Sequence, residues 1–290
     1  MFTCTDQLGK KIELTSYPPK RIVSLVPSQT ELLHYLGLED NVVGITKFCV
    51  LPKNWFETKK RVGGTKAVHI DLVKQLNPDL IIANKEENVK EQIEALTAIA
   101  PVWVSDINNV DDALEMIERA GEMVCKKEEA TALAAQIKTN FEKLNEPISQ
   151  LTNLHGSPYG QLLSHSTTHH KIAYLIWRDP YMTIGGDTFI SDMLKHCGFK
   201  NAFENEKRYP QITLQQIAEL NCQYIFLSSE PYPFKAKHAE EIKEVLPNIK
   251  TVFVDGEIFS WYGSRLLLAT QYFKELKEHL TEPSTAIYNV

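Results

Sequence analysis

The chain has 290 residues, of which 43% are hydrophobic and 23% are charged. This composition is typical of a globular protein and excludes a disordered or fibrous chain, and the length favours two domains or one large α/β domain. The net charge of −6 argues against a general role in binding nucleic acid. No apolar run approaches the ~20 residues of a membrane-spanning helix, so we expect no direct membrane insertion.

The N-terminal residues carry no recognisable targeting signal. Residues 1–11 lack a basic start, an apolar stretch and a small-residue cleavage site, so they do not form a secretory signal. Two locations stay open at this point. The protein is cytoplasmic if Met1 is the native start, and periplasmic or at the cell surface if a leader has been removed.

Buried strands and helices alternate in the first third of the chain. The run from Ile22 to Val26 predicts a strand buried on both faces, and Ser28 with Glu31 three residues later predicts a capped helix that ends near Gly37. Similar patterns predict strands at 42–45, 79–83 and 101–104, and helices at 70–76, 89–99 and 110–122. Such βα units indicate a mostly parallel sheet with helices on its faces.

One long helix follows. Residues 126–144 contain neither Gly nor Pro and place apolar residues at helical spacing, which predicts a rod of roughly 28 Å that ends before Pro147. The polar stretch 152–170 is then expected to form a loop.

The second half of the chain resumes the alternation of strands and helices. Strands are predicted at 171–177, 224–227 and 251–254, and helices at 188–197, 214–220, 238–245 and 266–280. The segment 72–82 also parallels 214–226, since each combines a short helix, a turn with Asn and a buried strand. We therefore predict an α/β fold with an N-terminal lobe (1–122), a linking helix (123–148) and a C-terminal lobe (149–290), with a ligand cleft between the lobes.

Five ordered segments carry a resemblance to a known family. They are RIVSLVPSQTELL at 21–33, VGGT at 62–65, LNPDLI at 76–81, TIGGDTFI at 183–190 and WYGSRL at 261–266. In these segments the chain resembles the helical-backbone (class III) periplasmic substrate-binding proteins of ABC importers, which serve cobalamin, haem, ferric siderophores and some metals. The resemblance implies two Rossmann-like lobes joined by one rigid helix, and a ligand bound without chemical change.

Candidate ligand-binding residues lie in loops that follow predicted strands or in the matching segments, because ligands of α/β folds bind at the carboxyl ends of strands. A broad, partly apolar corrin or siderophore also favours aromatic contacts. Core positions for Phe48 and Trp177, and a structural ion pair for Arg265, stay open as alternatives, whereas the polar surroundings of Trp261 favour exposure. The candidates are Pro27, Ser28, Phe48, Gly64, Thr65, Trp177, Arg178, Tyr209, Trp261, Tyr262 and Arg265.

The resemblance also implies a permease partner. Family members dock through one acidic residue on each lobe, for which Glu86, Glu87 and Glu91 are candidates in the first lobe. The second position carries Gln215, a departure from the family pattern. We expect a monomer that binds a small molecule and no nucleic acid.

We expect neither a resident metal nor an intrinsic cofactor, although cobalamin, haem or a ferric siderophore is a candidate ligand. The histidines His165, His169 and His170 could bind a metal, but a polar loop is the simpler interpretation. The five cysteines are scattered without a CxxC pair, and no motif of a catalytic nucleophile is present. The hypotheses are therefore an importer's substrate-binding protein, a cytoplasmic ligand-binding or sensing protein of the same fold and, less favoured, an enzyme.

Overall fold

The computed structural model describes residues 2–145 and 170–281. The described residues divide into two compact units. Unit 1 contains residues 2–138 and Trp261–Leu267, and unit 2 contains residues 139–145, 170–260 and 268–281. The chain thus leaves unit 1 within a helix, returns to it for seven residues at Trp261 and then re-enters unit 2.

Unit 1 is built from short strands and helices in alternation. Its strands are β1 (Phe2–Thr5), β2 (Lys11–Leu14), β3 (Ile22–Ser24), β4 (Val42–Ile45), β5 (Lys60–Arg61), β6 (Gly63–Gly64), β7 (Ala67–Val68), β8 (Leu80–Asn84) and β9 (Val102–Ser105). Its helices are α1 (Pro27–Tyr35), α2 (Lys53–Thr58), α3 (Ile70–Leu76), α4 (Lys90–Leu96), α5 (Val110–Met123) and the first part of α6 (Lys127–Asn145).

The main sheet of unit 1 is entirely parallel. Its strands lie in the order β5-β4-β3-β8-β9. Strand β8 is buried along its whole length, as expected for a strand covered by helices on both faces. Because β3 is flanked by β4 on one side and β8 on the other, the order of strands reverses between β3 and β8. Ligands of open α/β sheets bind at such a reversal, outside the carboxyl ends of the strands.

Helix α6 confirms the predicted long helix to within one residue at each end. It lies close to α5, since a Cβ atom added to Gly121 would stand 2.1 Å from Cβ of Ala130. Leu133 and Ile137 are buried in unit 1, and Phe141, which belongs to unit 2, packs edge-on against Phe273. The apolar stripe of this helix therefore contributes to the cores of both units.

Unit 2 repeats the α/β pattern. Its strands are β10 (Lys171–Leu175), β11 (Lys200–Asn201), β12 (Tyr224–Ser228) and β13 (Lys250–Val254), all parallel, in the order β11-β10-β12-β13. Its helices, besides the end of α6, are α7 (Phe189–His196), α8 (Leu214–Glu219), α9 (Ala236–Val245), α10 (Gly256–Ser260) and α11 (Leu266–Thr281). Here the order of strands reverses between β10 and β12.

The similarity between the two halves is visible in the structure. Helix α3 leads through Asn77 into β8, and α8 leads through Asn221 into β12. Both asparagines adopt the left-handed conformation, with φ of 44° and 54°. Asparagine tolerates this region better than most residues, which accounts for its place in both turns.

The start of α1 differs from the prediction. Ser28 was expected to cap the helix, but the N-cap is Val26 and the helix already begins at Pro27. Proline favours the first helical position because its fixed φ suits the helix and its missing N–H would have no partner there. Ser28 consequently lies inside the first turn and is only 2% exposed.

Candidate functional site

In unit 1, the sheet reversal is covered by the segment Trp261–Arg265. The Tyr262 hydroxyl donates a hydrogen bond to Oε1 of Glu87, which follows β8, over 3.0 Å. A Cβ atom on Gly263 would stand 2.8 Å from the carbonyl oxygen of Ser28, so only glycine permits this close approach. Burial, followed by the charge of Glu87, holds the pKa of Tyr262 well above its ordinary value, so its hydroxyl remains protonated.

Arg265 forms the ion pair that the sequence left open. Its Nε and Nη2 atoms donate to the two carboxylate oxygens of Glu31 over 3.1 and 2.7 Å, and its guanidinium lies 4.7 Å from the centre of the Trp261 ring. This fork-to-fork geometry gives the guanidinium a carboxylate partner within unit 1. A ligand role for Arg265 stays a prediction.

Trp261 and Tyr262 lie elsewhere than expected. They are 5% and 6% exposed, and they pack with unit 1 although the sequence placed them in a polar loop of the second lobe. The expectation that Trp261 is exposed is therefore wrong. Pro27 and Ser28 are also buried, and the Ser28 carbonyl oxygen lies against Gly263.

Phe48, in contrast, is exposed. It follows β4, and half of its surface is open to solvent, so the alternative of a core position is excluded. Its ring lies over the backbone of Gly64, where an added Cβ atom would stand 3.1 Å from Cε2 of Phe48. The Lys47 ammonium is 5.1 Å from the ring centre. Phe48 and Gly64 thus form one surface at the carboxyl edge of the sheet.

Two asparagines that the sequence analysis missed hold the loops at this edge together. The Asn88 amide donates to the carbonyl oxygens of Thr65 and Leu25 over 3.0 and 3.4 Å and accepts the backbone N–H of Asn84. The Asn84 side chain in turn accepts the backbone N–H groups of Glu86 and Glu87. Asn84 ends the buried strand β8 and Asn88 lies four residues further along the chain, which was a usable signal. The acidic residues between them favoured a docking interpretation instead.

In unit 2, Trp177 lies just beyond the carboxyl end of β10 and is 41% exposed. This exposure excludes the alternative of a core position for Trp177. Its ring packs edge-to-face with that of Tyr232, which follows β12 and was also missed by the sequence analysis. Arg178 forms ion pairs with Asp179 and Glu241 over 2.9 and 2.7 Å, so its charge is balanced.

Tyr209 lies in the segment between β11 and α8 and is half-buried. The guanidinium of Arg208 is 5.7 Å from the centre of its ring. Arg208 donates its backbone N–H to Asp187 over 2.6 Å, which anchors this segment to the residues before α7. A ligand role for Tyr209 stays a prediction.

The candidate docking residues differ in their surroundings. Glu91 is exposed, whereas Glu86 is partly buried and Glu87 accepts the hydrogen bond from Tyr262. In unit 2, Gln215 is exposed on α8 and donates to the carboxylate of Glu219 over 3.2 Å. A role in docking is a prediction for all of them.

Two of the three candidate metal-binding histidines, His165 and His169, lie outside the described residues. His170 is exposed and packs edge-on against Tyr224 with ring centres 5.5 Å apart. Across residues 2–145 and 170–281, no group of three or more His, Cys, Asp or Glu is placed to hold a metal ion.

A cavity of about 630 Å³ opens at the other edge of the first sheet. It lies at the amino ends of β8 and β9, where its lining includes Arg21, Asp79 and Pro101. The guanidinium of Arg21 already donates to the carbonyl oxygen of Leu76. Because ligands of parallel sheets bind at the carboxyl ends of strands, this cavity is a weaker candidate than the loops with exposed aromatic rings.

The chain matches a known protein family over most of its length. The model of this family, described as periplasmic binding protein, matches residues 22–251. The chain belongs to the periplasmic binding protein family. This membership confirms the resemblance stated from the five sequence segments.

Several known proteins are similar in sequence to this periplasmic binding protein over most of its length. An ABC transporter substrate-binding lipoprotein of Bacillus subtilis, YvrC, is 29% identical over 270 residues, which cover 89% of this chain and 79% of the relative. A vitamin B12-binding protein of Photorhabdus laumondii is 25% identical over 256 residues, which cover 87% of this chain and 86% of the relative.

Solved structures share the fold. The periplasmic vitamin B12-binding protein BtuF of Vibrio cholerae superposes with a TM-score of 0.69 at 22% identity, covering 91% of this chain and 99% of BtuF. A periplasmic haem-binding protein of Pseudomonas aeruginosa gives a TM-score of 0.74 at 15% identity, covering 92% of this chain and 96% of that protein. These similarities confirm the predicted α/β fold class. The comparisons do not favour a cytoplasmic sensing protein.

Proposed function

We propose that this periplasmic binding protein is the substrate-binding component of an ABC-type importer, and that it binds a corrinoid, haem or a ferric chelate. The match to the family over residues 22–251 carries this proposal. The ligand class follows from relatives that are named for binding vitamin B12 or haem.

The exposed aromatic rings suit such a ligand. Phe48 and Trp177 each follow a strand of a parallel sheet, and each exposes 40% or more of its surface. Covering a large apolar side chain in this position with a ligand removes apolar surface from water, which favours binding. A corrin or porphyrin offers a broad conjugated face against which such rings can stack.

We infer binding without catalysis. Among the cysteines, burial raises the pKa of Cys49 and of Cys222 to about 11, so both stay protonated at neutral pH and are poor nucleophiles. The relatives from Bacillus subtilis and Photorhabdus laumondii are named for substrate binding and vitamin B12 binding. An unaltered ligand recovered after release would agree with this inference, and turnover would contradict it.

The partner that we propose is a permease, and the location is the periplasm or the cell surface. The lipoprotein relative of Bacillus subtilis supports this location. For docking, Glu86 and Glu91 on unit 1 and Gln215 on unit 2 are our candidates. None of the helices in the described parts of the chain combines the length and the apolar character needed to cross a bilayer.

Calorimetric titration with cyanocobalamin, haemin and a ferric hydroxamate chelate tests the proposal. We expect saturable binding of at least one of these probes, weakened about 10- to 30-fold in Trp177→Ala and Phe48→Ala, as is usual when an aromatic anchor is truncated. Tyr35→Ala is the matched control. Tyr35 is 49% exposed but lies at the last residue of α1, away from the carboxyl edge where that helix begins. Failure of all three probes to bind would refute the proposed ligand classes.

A further inference from the structure

An aromatic pair marks the reversal of the second sheet. Strands β10 and β12 are adjacent and parallel, so the residues that follow them emerge at the same edge. Trp177 and Tyr232 come from these two connections, and their ring centres lie 5.6 Å apart at an interplanar angle of 65°. This edge-to-face arrangement holds the two rings in contact, while Trp177 stays 41% exposed.

The pair has a buried polar support. His238 is 2% exposed, its Nδ1 accepts the backbone N–H of Lys235 over 2.9 Å, and its Nε2 lies 3.3 Å from the Tyr232 hydroxyl oxygen. Because Nδ1 acts as an acceptor, a neutral His238 carries its proton on Nε2 and donates it to Tyr232. The histidine thereby determines where the Tyr232 ring lies.

Ion pairs lie beside the aromatic pair. Arg178 contacts the carboxylates of Asp179 and Glu241 over 2.9 and 2.7 Å, so its guanidinium has acidic partners. The exposed face of Trp177 therefore remains an aromatic surface, which suits the conjugated face of a macrocycle.

We propose that Tyr232 and His238 are positioning residues, which hold the Trp177 ring as the aromatic wall of the ligand site in unit 2. The inference rests on the proposed function and adds residues that determine ligand affinity. Unit 1 offers a contrast, because its own sheet reversal is covered by the chain itself through Tyr262 and Gly263. Within unit 2, the reversal retains an exposed indole.

A purely structural role for His238 makes a different prediction. His238 is the third residue of α9, and its acceptance of the Lys235 N–H resembles one half of a capping box. Asparagine places its Oδ1 about where Nδ1 of histidine lies and can accept the same N–H, but its side chain is too short to reach the Tyr232 hydroxyl. The His238→Asn variant therefore keeps the helix cap while it removes the donor to Tyr232, so a change in ligand affinity would point to positioning.

Tryptophan fluorescence reads out the position of Trp177 without a ligand. Of the four tryptophans, Trp55 and Trp103 are fully buried and Trp261 is 5% exposed, so acrylamide reaches chiefly Trp177. We expect stronger acrylamide quenching in His238→Asn and Tyr232→Ala than in the wild type. His170→Asn is the control, because His170 also packs edge-on against a tyrosine, Tyr224, but precedes β10.

Affinity is then measured for whichever of cyanocobalamin, haemin or the ferric hydroxamate the wild type binds. We expect His238→Asn and Tyr232→Phe each to weaken binding about 3- to 10-fold. The double variant should be no weaker than either single variant, because both remove the same hydrogen bond.

The two readouts separate the inference from the proposed function. Unchanged quenching in Tyr232→Ala, or additive losses of affinity in the double variant, would overturn the positioning role. If the wild type binds none of the probes, the proposed ligand classes fail, and the acrylamide measurement still decides whether Tyr232 and His238 hold the indole.

Discussion

The buried pair between Arg265 and Glu31 should hold the returning segment Trp261–Leu267 in unit 1. The two side chains are only 10% and 21% exposed and form two parallel hydrogen bonds across 234 positions of sequence. Replacing Arg265 with Met leaves the Glu31 carboxylate largely buried without its partner. Removing one member of a buried pair costs about 3–5 kcal/mol, and the residual exposure places this pair at about 3 kcal/mol.

Thermal unfolding followed by circular dichroism provides the assay. For a domain of this size, a loss of about 3 kcal/mol lowers Tm by roughly 6–12 °C. Lys90→Met is the matched control. Lys90 pairs with Glu94 on the surface of α4, with side chains 83% and 66% exposed, and such pairs contribute at most about 1 kcal/mol.

A double-mutant cycle tests the pairing itself. Combining Arg265→Met with Glu31→Gln removes both charges. The double variant should therefore lose less unfolding free energy than the two single variants lose together, by about 0.5–3 kcal/mol. The reasoning fails if Arg265→Met costs no more than Lys90→Met, or if the two single effects simply add.

Two further predictions concern pH and packing. Burial, followed by the charge of Lys237, lowers the pKa of His238, and the charge of Glu241 opposes this shift. As the pH falls, the unfolded chain therefore takes up a proton at His238 near pH ~6.5, before the folded protein does. The free energy of unfolding that is present above that pH is consequently lost as the pH falls toward 5. Denaturant titrations at pH 7.5 and 5 should show a larger loss for the wild type than for His238→Gln, and equal losses would contradict the assignment. Gly263→Ala places a Cβ atom 2.8 Å from the Ser28 carbonyl oxygen, so we expect a loss of about 1–3 kcal/mol in thermal unfolding, and a variant as stable as the wild type would refute this close contact.

Local sequence patterns were sufficient to predict most of the helices and strands. Helix α6 was predictable because an uninterrupted apolar stripe without Gly or Pro has few alternatives. The turns at Asn77 and Asn221 were predictable because each lies between a short helix and a buried strand. The start of α1 was not, because Pro27 and Ser28 compete for the helix terminus and only the backbone geometry decides between them.

The site depends on contacts that sequence patterns do not contain. The sequence favours exposure for Trp261 and leaves a core position open for Trp177, yet Trp261 is 5% exposed and Trp177 41%. Trp261 is buried because its segment packs within unit 1, far from its neighbours in sequence. The ion pair between Arg265 and Glu31 is one of the contacts that hold this segment there. Likewise, the role of His238 emerges only when β10 and β12 bring Trp177 and Tyr232 together.

Hydrogen exchange with and without ligand tests most directly the proposal that ligand contacts exposed aromatic residues at the carboxyl edge of a parallel sheet. The protein is saturated with whichever of cyanocobalamin, haemin or the ferric hydroxamate it binds, and exchange is followed by mass spectrometry. The account predicts protection in peptides that cover residues 46–50, 177–181 and 230–234. Protection confined to residues 10–15, 77–79 and 97–102, which line the cavity at the amino edge of the first sheet, would contradict it.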